Sequence, residues 1–368
     1  LLTNVEFPQG LYDMGTLGLN ANFLGKYYDF SVGANIFSPK GNLAGTVSMF
    51  FPQNDSANTY TGNFSTTNFD LNTLLGVEGN ISNRLNARFA VNGQGYNIDE
   101  LAGTYEMWAG DSNILGSVID SSHIFLTALD KELNSNIDVW DRQGIAHSTF
   151  NWNLKESIPH FKLKGQLQNM DLQQFGVSEK PIWIDTEYDI DTQGESPAEW
   201  IGKFDFSQFS VYNPLTNRRT PVQSWQLMAD TTNGYRTLKL DSEIAKVDVG
   251  GAFNYEQAID RVSRLVQETR LYFSNSDSLL DAYYAKKEPD SSAVSFSINA
   301  QILAGVNPLM EVLNVPVNIA SGAEVSSNLD FSATHLADLN IRADSISYEG
   351  QTYVNPSSSL LLAKFPDS

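Results

Sequence analysis

The sequence contains no cysteine. That absence excludes disulfide frameworks, thiolate nucleophiles, Cys-ligated zinc and iron–sulfur clusters, and it leaves the redox compartment unread. Basic residues are scarce: 23 Lys and Arg stand against 43 Asp and Glu, a net charge of -20 over 368 residues. So acidic a chain lacks the cationic stripe from which nucleic-acid affinity is built, so nucleic acid is not an expected partner. Runs of 18 or more apolar residues are also missing, and no segment is expected to cross a membrane as a helix. The opening residues Leu1-Leu2-Thr3-Asn4-Val5 carry no initiator Met and no basic or apolar leader. They read as the start of a piece cut from something longer, with any anchor or export signal outside it.

Signatures of catalysis are missing too. His123, His147, His160 and His335 have no second His at metal-ligand spacing, and they read as surface or strand residues. The acidic residues Asp185, Glu187, Asp189, Asp191 and Asp205 have the residue types of a glycosidase pair, but Asp189 and Asp191 flank Ile190 in the manner of a strand's wet face. Gly93-Gln94-Gly95 and Gly250-Gly251 open no phosphate-binding helix, and Asn54, Asp55 and Asp111 fit no calcium-loop spacing. There is no GxSxG elbow. No cofactor, no metal and no enzymatic activity are expected.

What is present is alternation. Aromatic residues make up 11% of the chain, mostly Phe and Tyr, and 26 glycines punctuate it. Val294, Phe296, Ile298, Ala300 and Ile302 share one strand face, with Ser295, Ser297, Asn299 and Gln301 on the other. The same pattern groups Phe30, Val32, Ala34 and Ile36, then Phe161, Leu163, Gly165 and Leu167, then Ile182, Ile184, Tyr188 and Ile190. Later runs are Leu238, Leu240 and Ile244; Leu329, Phe331 and Ala333; and Leu339, Ile341 and Ala343. One dry and one wet face mark antiparallel sheet, because parallel strands covered on both sides read as continuous apolar runs. Turn signals at Pro39-Lys40-Gly41-Asn42, Asn92-Gly93-Gln94-Gly95, Asn233-Gly234 and Glu349-Gly350 separate the runs, as in a meander.

Two short stretches break the pattern. Ile259, Val262, Leu265 and Val266 recur at helical spacing, and Asp277 to Tyr284 reads as a second short helix, giving an insertion over 254–287. A further helical turn or two is expected from Pro308 to Leu313. Asn68-Phe69-Asp70-Leu71 to Gly76 matches Asn169-Met170-Asp171-Leu172 to Gly176 at an offset of 101 residues, and Phe150-Asn151-Trp152 matches Phe253-Asn254-Tyr255 at 103. Such offsets suggest a repeated unit of about a hundred residues and an elongated object.

So much one-sided strand surface can be covered by a second sheet or by curling of the sheet on itself. The helical insertion and the polar stretch Gly194-Glu195-Ser196-Pro197 argue against a closed barrel. The expected fold is mostly β: a long curled antiparallel sheet, an open groove or β-taco, with β-groove modules over 1–148, 149–253 and 288–368 and the helical insertion between the last two. They form one continuous sheet rather than independent globular domains.

Several elements, in order, resemble the AsmA/TamB superfamily, and more closely the TamB-like periplasmic proteins of the Bacteroidota type. They are Asn68-Phe69-Asp70-Leu71 to Gly76; Leu101-Ala102-Gly103-Thr104 after Gly93-Gln94-Gly95; and Asp120-Ser121-Ser122 leading to Leu133-Asn134-Ser135. Asn169-Met170-Asp171-Leu172 follows, then Leu240 to Phe253 running into the amphipathic helix, then Pro316-Val317-Asn318-Ile319 and Ile346 to Tyr353. The likeness covers most of residues 60–360. The family's membrane helix and terminal domain are not recognisable in it, so an inner-membrane anchor would lie outside this segment.

The resemblance implies a curled sheet whose apolar interior carries phospholipids across the periplasm between the inner and outer membrane, in outer-membrane biogenesis. It also implies a BamA-like outer-membrane barrel as partner. The expected lipid-groove residues are Phe30, Val32, Ile36, Phe161, Leu163, Leu167, Ile182, Ile184, Leu238, Leu240, Val294, Phe296, Ile298, Ile302, Leu329, Phe331, Leu339 and Ile341. Two other readings stand beside this one: an assembly or chaperone module for outer-membrane or secreted proteins that works by β-augmentation, and a carbohydrate-active β-solenoid marked by carboxylates and aromatics on a concave surface.

Overall fold

A computed structural model of the chain describes residues 4–7, 10–13, 16, 18–53, 57–72, 83–114, 117–141, 144–173, 178, 180–196, 199–273, 283, 285, 294–331, 335–348 and 350–363. The expected second helix, from Asp277 to Tyr284, lies almost wholly outside these residues, as do Ala333, Asn54, Asp55, Glu349 and the ends of both copies of the repeat. The fold is mostly antiparallel β-sheet with a short helical insertion, as the alternation predicts. The backbone divides into two compact units, residues 1–191 with 208–219, and residues 192–207 with 220–368.

The first unit begins with a hairpin of β1 (Asn4–Phe7) and β2 (Gly10–Asp13). A meander follows: β3 (Gly18–Lys26), β4 (Asp29–Ser38), β5 (Gly41–Phe50), β6 (Thr59–Asp70), β7 (Arg84–Gln94), β8 (Ala102–Ile114), β9 (Ser117–Leu129), β10 (Glu132–Asp141), β11 (Ile145–Asn153) and β12 (His160–Asp171). Each strand pairs antiparallel with the next. Strand β3 pairs with β4 and is exposed at every residue. Chain order continues with β13 (Trp183–Gln193), β14 (Ile201–Asn213) and β15 (Arg218–Arg219).

Local chemistry sets the turns. At the β9–β10 turn Asp130 and Lys131 have φ of 51° and 59°, the two positive values that a two-residue turn needs to match the twist of its strands. The expected turn at Asn92-Gly93-Gln94-Gly95 starts only at Gly95, and Asn92, Gly93 and Gln94 remain in β7. Gly93 is needed there for room. A Cβ on it would stand 2.8 Å from Tyr105 Oη and 3.0 Å from Tyr60 Oη, so only glycine lets the two hydroxyls cross the strand.

The second unit contains β16 (Gln223–Thr232), β17 (Tyr235–Ser242), β18 (Ala245–Ala252), helix α1 (Tyr255–Phe273), β19 (Ser295–Ile302), helix α2 (Val306–Val312), β20 (Val317–Ile319), β21 (Ala323–Asp330), β22 (His335–Arg342), β23 (Ser345–Tyr348), β24 (Gln351–Val354) and β25 (Ser357–Ala363). Strands β16, β17, β18, β19, β21, β22 and β25 are successive antiparallel neighbours, and β20, β23 and β24 form a small separate sheet. Helix α2 lies where a short helix is expected, two residues earlier than Pro308.

Compact cores are local. In α1, Tyr255, Ala258, Val262 and Leu265 fall on one helical face and pack on Phe253, Val294, Phe296, Leu329 and Ala337. Val306, Leu309 and Met310 of α2 join Ile244, Ala245, Trp225, Val247, Ile302 and Ile319. In the first unit, Phe69 and Leu71 pack on Leu85, Ala87 and Ala109.

The repeated Asn-x-Asp-Leu segment folds the same way twice. Asn68 and Asn169 have φ of 49° and 50°. Leu71 and Leu172 each donate the backbone N–H to a carbonyl at the start of the following strand segment, Asn83 at 2.9 Å and Ile182 at 2.8 Å. Asp70 and Asp171 each accept the N–H two residues on, both at 3.0 Å. The other sequence match has no such counterpart: Phe150-Asn151-Trp152 is inside β11, whereas Phe253-Asn254-Tyr255 leads into α1.

Candidate functional site

Residues that face each other across an antiparallel ladder project from the same side of the sheet, so the register shows which side chains share a face. In the first unit one row runs Phe23, Val32, Val47, Gly62, Val91, Tyr105, Leu126, Ser135, Phe150 and Leu163, one residue from each of the ten strands β3 to β12. The next row of the same face is Ala21, Ala34, Gly45, Phe64, Phe89, Met107, Ile124, Ile137, Ser148 and Gly165. Phe30 and Phe161 are in a flanking row with Met49, Tyr60 and Trp152, and Ile36 and Leu167 are in the row on the other side with Leu43 and Val139.

The structure therefore puts six expected groove positions, Phe30, Val32, Ile36, Phe161, Leu163 and Leu167, on one face, all of them half-buried. Ile184 shares this face: Tyr188, two alternations further along β13, shares a hydroxyl hydrogen bond with Ser148.

In the second unit one row is Ala229, Leu238, Val249, Ile298, Ser327 and Leu339, and its neighbour is Leu227, Leu240, Val247, Ala300, Val325 and Ile341. Leu238, Leu240, Ile298, Ile302, Leu339 and Ile341 are half-buried. Four expected positions differ: Val294, Phe296 and Leu329 are buried at 1%, 7% and 7% exposure beneath α1, and Ile182 is buried at 6%. Leu238, Ile298 and Phe331 pack on the same cluster as the first three, and Ile302 packs on the cluster beside α2. The apolar area of Val294, Phe296 and Leu329 is used inside the protein, because the helix sits over the end of the strands that carry them.

Sequence reasoning missed the middle of the first unit's face, including Phe64, Phe89, Val91, Met107, Ile124, Leu126 and Ile137. The signal was there, in Leu85, Ala87, Phe89 and Val91 and in Ile124, Leu126 and Ala128. Small or polar members of the rows such as Gly62, Ser135 and Ser148 interrupt the alternation in strands read one at a time, and only the ladder joins them.

The opposite faces are polar and ion-paired. Lys164 bonds Asp189 at 2.7 Å, Lys162 bonds Asp191 at 3.1 Å, and His160 bonds the same Asp191. His123 pairs with Glu106 at 2.7 Å and His147 with Asp138 at 2.6 Å. Burial raises the Asp191 pKa, but hydrogen bonds from His160 and Lys162 outweigh it and hold the carboxyl below its ordinary range. Asp185 behaves alike: burial is outweighed by the Asn169 N–H at 2.7 Å, by Arg219, and by Ser210 at 3.2 Å. Asp205 accepts from Gln226 at 2.9 Å. These carboxylates are engaged in cross-strand pairs and turn contacts. Among the described residues no cluster of His, Asp and Glu has the geometry to hold a metal ion.

Two concavities open on the polar faces. One, of about 580 Å³, is lined by Phe125, Asn134, Asn136, Asn151, Lys162, Lys164, Asp189 and Asp191 among others, and the second, of about 670 Å³, by Lys246, Asp248, Asn299, Gln301, Glu324 and Arg342 among others. Among the described residues of each unit, the elements that pack on the apolar face are α1, α2, Ile319 of the small β20–β23–β24 sheet and the Phe69–Leu71 turn. No helix of the described residues is long and apolar enough to cross a membrane.

The chain matches no protein-family model, no curated protein and no solved structure.

Proposed function

We propose that the protein is a segment of a periplasmic lipid-transfer bridge, in which the apolar sheet faces hold phospholipid acyl chains on their way between the inner and outer membrane. One observation carries this reading: four adjacent rows of mostly apolar side chains extend across ten consecutive strands, and most of their large members are half-buried, with Phe89 and Met107 packed on the Leu85, Ala87 and Ala109 cluster at one end. A soluble protein rarely leaves so continuous an apolar surface without a ligand or partner for it.

The energetics suit the role. Exposing a 16-carbon chain to water costs about 0.8 kcal/mol per methylene, or roughly 13 kcal/mol per tail, and this makes spontaneous transfer slow. A face that stays apolar from strand to strand lowers that barrier by contact alone, and each step along it exchanges one set of apolar contacts for a similar set. No covalent chemistry is required. The order of short motifs that resembles TamB-like proteins supports the same reading, and it brings with it an inner-membrane anchor outside this segment and a BamA-like barrel partner.

The test is transfer of a fluorescent phospholipid from donor to acceptor vesicles by the purified chain. Acceleration that depends on protein concentration supports the proposal, and a rate equal to that of vesicles alone overturns it.

A second reading rests on β3. This strand is exposed along its whole length, with Leu19, Phe23 and Leu24 at 63%, 56% and 69%. Such a strand can accept an extended segment of an outer-membrane or secreted protein by β-augmentation, as an assembly module would. Crosslinking from position 24 separates the two, since polypeptide adducts without lipid favour assembly.

A further inference from the structure

The two long edges of the first unit's apolar face differ in chemistry. At one edge lie the turns that follow β3, β5, β7, β9 and β11; at the other lie those that follow β4, β6, β8 and β10 and the segment after β12. The first edge is aromatic and open. Tyr60 and Tyr96 stack with ring centroids 5.7 Å apart, and Tyr60 and Tyr105 share a hydroxyl hydrogen bond of 2.6 Å. Burial and the Tyr60 hydroxyl raise the Tyr105 pKa well above the usual phenol range, so the Tyr105 hydroxyl stays neutral. Tyr96 is 55% exposed, Tyr27 83% and Trp152 37%. Among these rings lie the ion pairs Lys131–Asp99 at 2.6 Å and Lys155–Asp130 at 3.0 Å.

The second edge is the more closed one, and it too carries ion pairs, Lys40 with Asp70 at 3.6 Å and Arg219 with Asp185. Phe69 and Leu71 fold from their turn onto Leu85, Ala87 and Ala109. In the second copy of that turn Leu172 is bonded to the carbonyl of Ile182, whose side chain is buried.

Tyr and Trp favour the boundary between hydrocarbon and water because the ring is apolar and the hydroxyl or indole N–H is not, which is why they form belts at the headgroup level of bilayers. Distance agrees. From the row of Tyr60 to the row of Ala87 is six residues along a strand, about 20 Å at roughly 3.4 Å each. One leaflet of hydrocarbon is about 15 Å thick, half of the roughly 30 Å core. An acyl chain lying parallel to the strands fits that width.

Resting on the lipid reading above, we propose that phospholipids bind the first unit with their chains parallel to the strands. The headgroups lie at the Tyr60, Tyr96 and Tyr105 edge, beside the Lys131 and Lys155 ion pairs, and the methyl ends point toward Ala87 and Ala109.

The absence of cysteine makes the test clean. Tyr96→Cys and Val139→Cys, one at the aromatic edge and one in the Ala87 row, each carry a fluorophore on the full chain. Circular dichroism checks that both variants keep the parent's sheet signal. Phosphatidylcholine with a nitroxide on the choline, or with a nitroxide at the chain end, is then added. The expected result is loss of fluorescence at position 96 with the headgroup label and at position 139 with the chain-end label. Reversed or equal quenching at the two positions overturns the orientation and leaves lipid binding intact. No quenching by either lipid overturns lipid binding itself, and the orientation with it.

Discussion

Asn68 and Asn169, 101 residues apart, hold the same left-handed backbone conformation, and each donates its N–H at 2.7 Å to a side chain on the following strand, Asn86 in one case and Asp185 in the other. The equivalence makes the short sequence match a structural repeat. It also explains why asparagine stands at both places, since it tolerates positive φ better than other residues that carry a Cβ.

Replacing either Asn by Ala forces a side chain without that tolerance into the left-handed region, at a cost of about 1 to 2 kcal/mol. Asn68→Ala and Asn169→Ala are expected to lower the midpoint of urea unfolding, and Asn68→Gly to leave it nearly unchanged. Equal loss in the Ala and Gly variants at position 68 would place the effect in the side chain instead.

Acid should act through Asp185. Its carboxyl is held below the ordinary range by the Asn169 N–H, Arg219 and Ser210 against the opposing effect of burial. A lowered folded-state value means that the stabilisation is complete above the ordinary carboxylate pKa of about 3.9 and is lost as pH falls through the lower folded value. Arg219→Ala removes one of the holding charges, so its acid unfolding, followed by circular dichroism, is expected to begin at a higher pH than the parent's. Coincident acid limbs would show that the Arg219–Asp185 pair contributes nothing.

Phe296 and Ile298 are two residues apart on the same face of β19, yet they should behave differently. Phe296 is buried beneath α1, whereas Ile298 is only half-buried and packs against the same cluster. Phe296→Ala is expected to destabilise by about 3 kcal/mol or more, the cost of emptying a core site. Ile298→Ala should cost distinctly less in a thermal melt and should weaken lipid retention. Equal destabilisation would mean that the whole face is core.

Charge placed on the rows should block them without unfolding the sheet. Met107→Asp and Ile298→Asp, one in each unit, are expected to slow vesicle-to-vesicle phospholipid transfer while the far-ultraviolet spectrum stays that of the parent. Transfer at the parental rate by the double variant would contradict the use of these faces.

Much of this architecture could be read from alternation alone. Runs such as Phe161, Leu163 and Leu167, or Phe296, Ile298 and Ile302, have a period that only a strand can place on one face, and the α1 residues Val262 and Leu265 have one that only a helix can. The site was less legible. Which half of a dry face remains open depends on what packs over it, and Val294, Phe296 and Leu329 are covered by a helix whose docking position is not encoded in their own strands. The extent of the first unit's face was hidden for a related reason: Gly62, Ser135 and Ser148 belong to its rows through their ladder partners and not through their own polarity. The edge chemistry of Tyr60, Tyr96 and Tyr105 was invisible because these residues are 45 positions apart at the extremes and meet only when three strands align.

The most direct test of the account is native mass spectrometry of the full chain purified from a Gram-negative host under conditions that keep bound lipid. The account predicts a ladder of adducts spaced by phospholipid masses, with several per chain, that shrinks in the Met107→Asp, Ile298→Asp double variant. A single lipid-free mass from folded protein would contradict it.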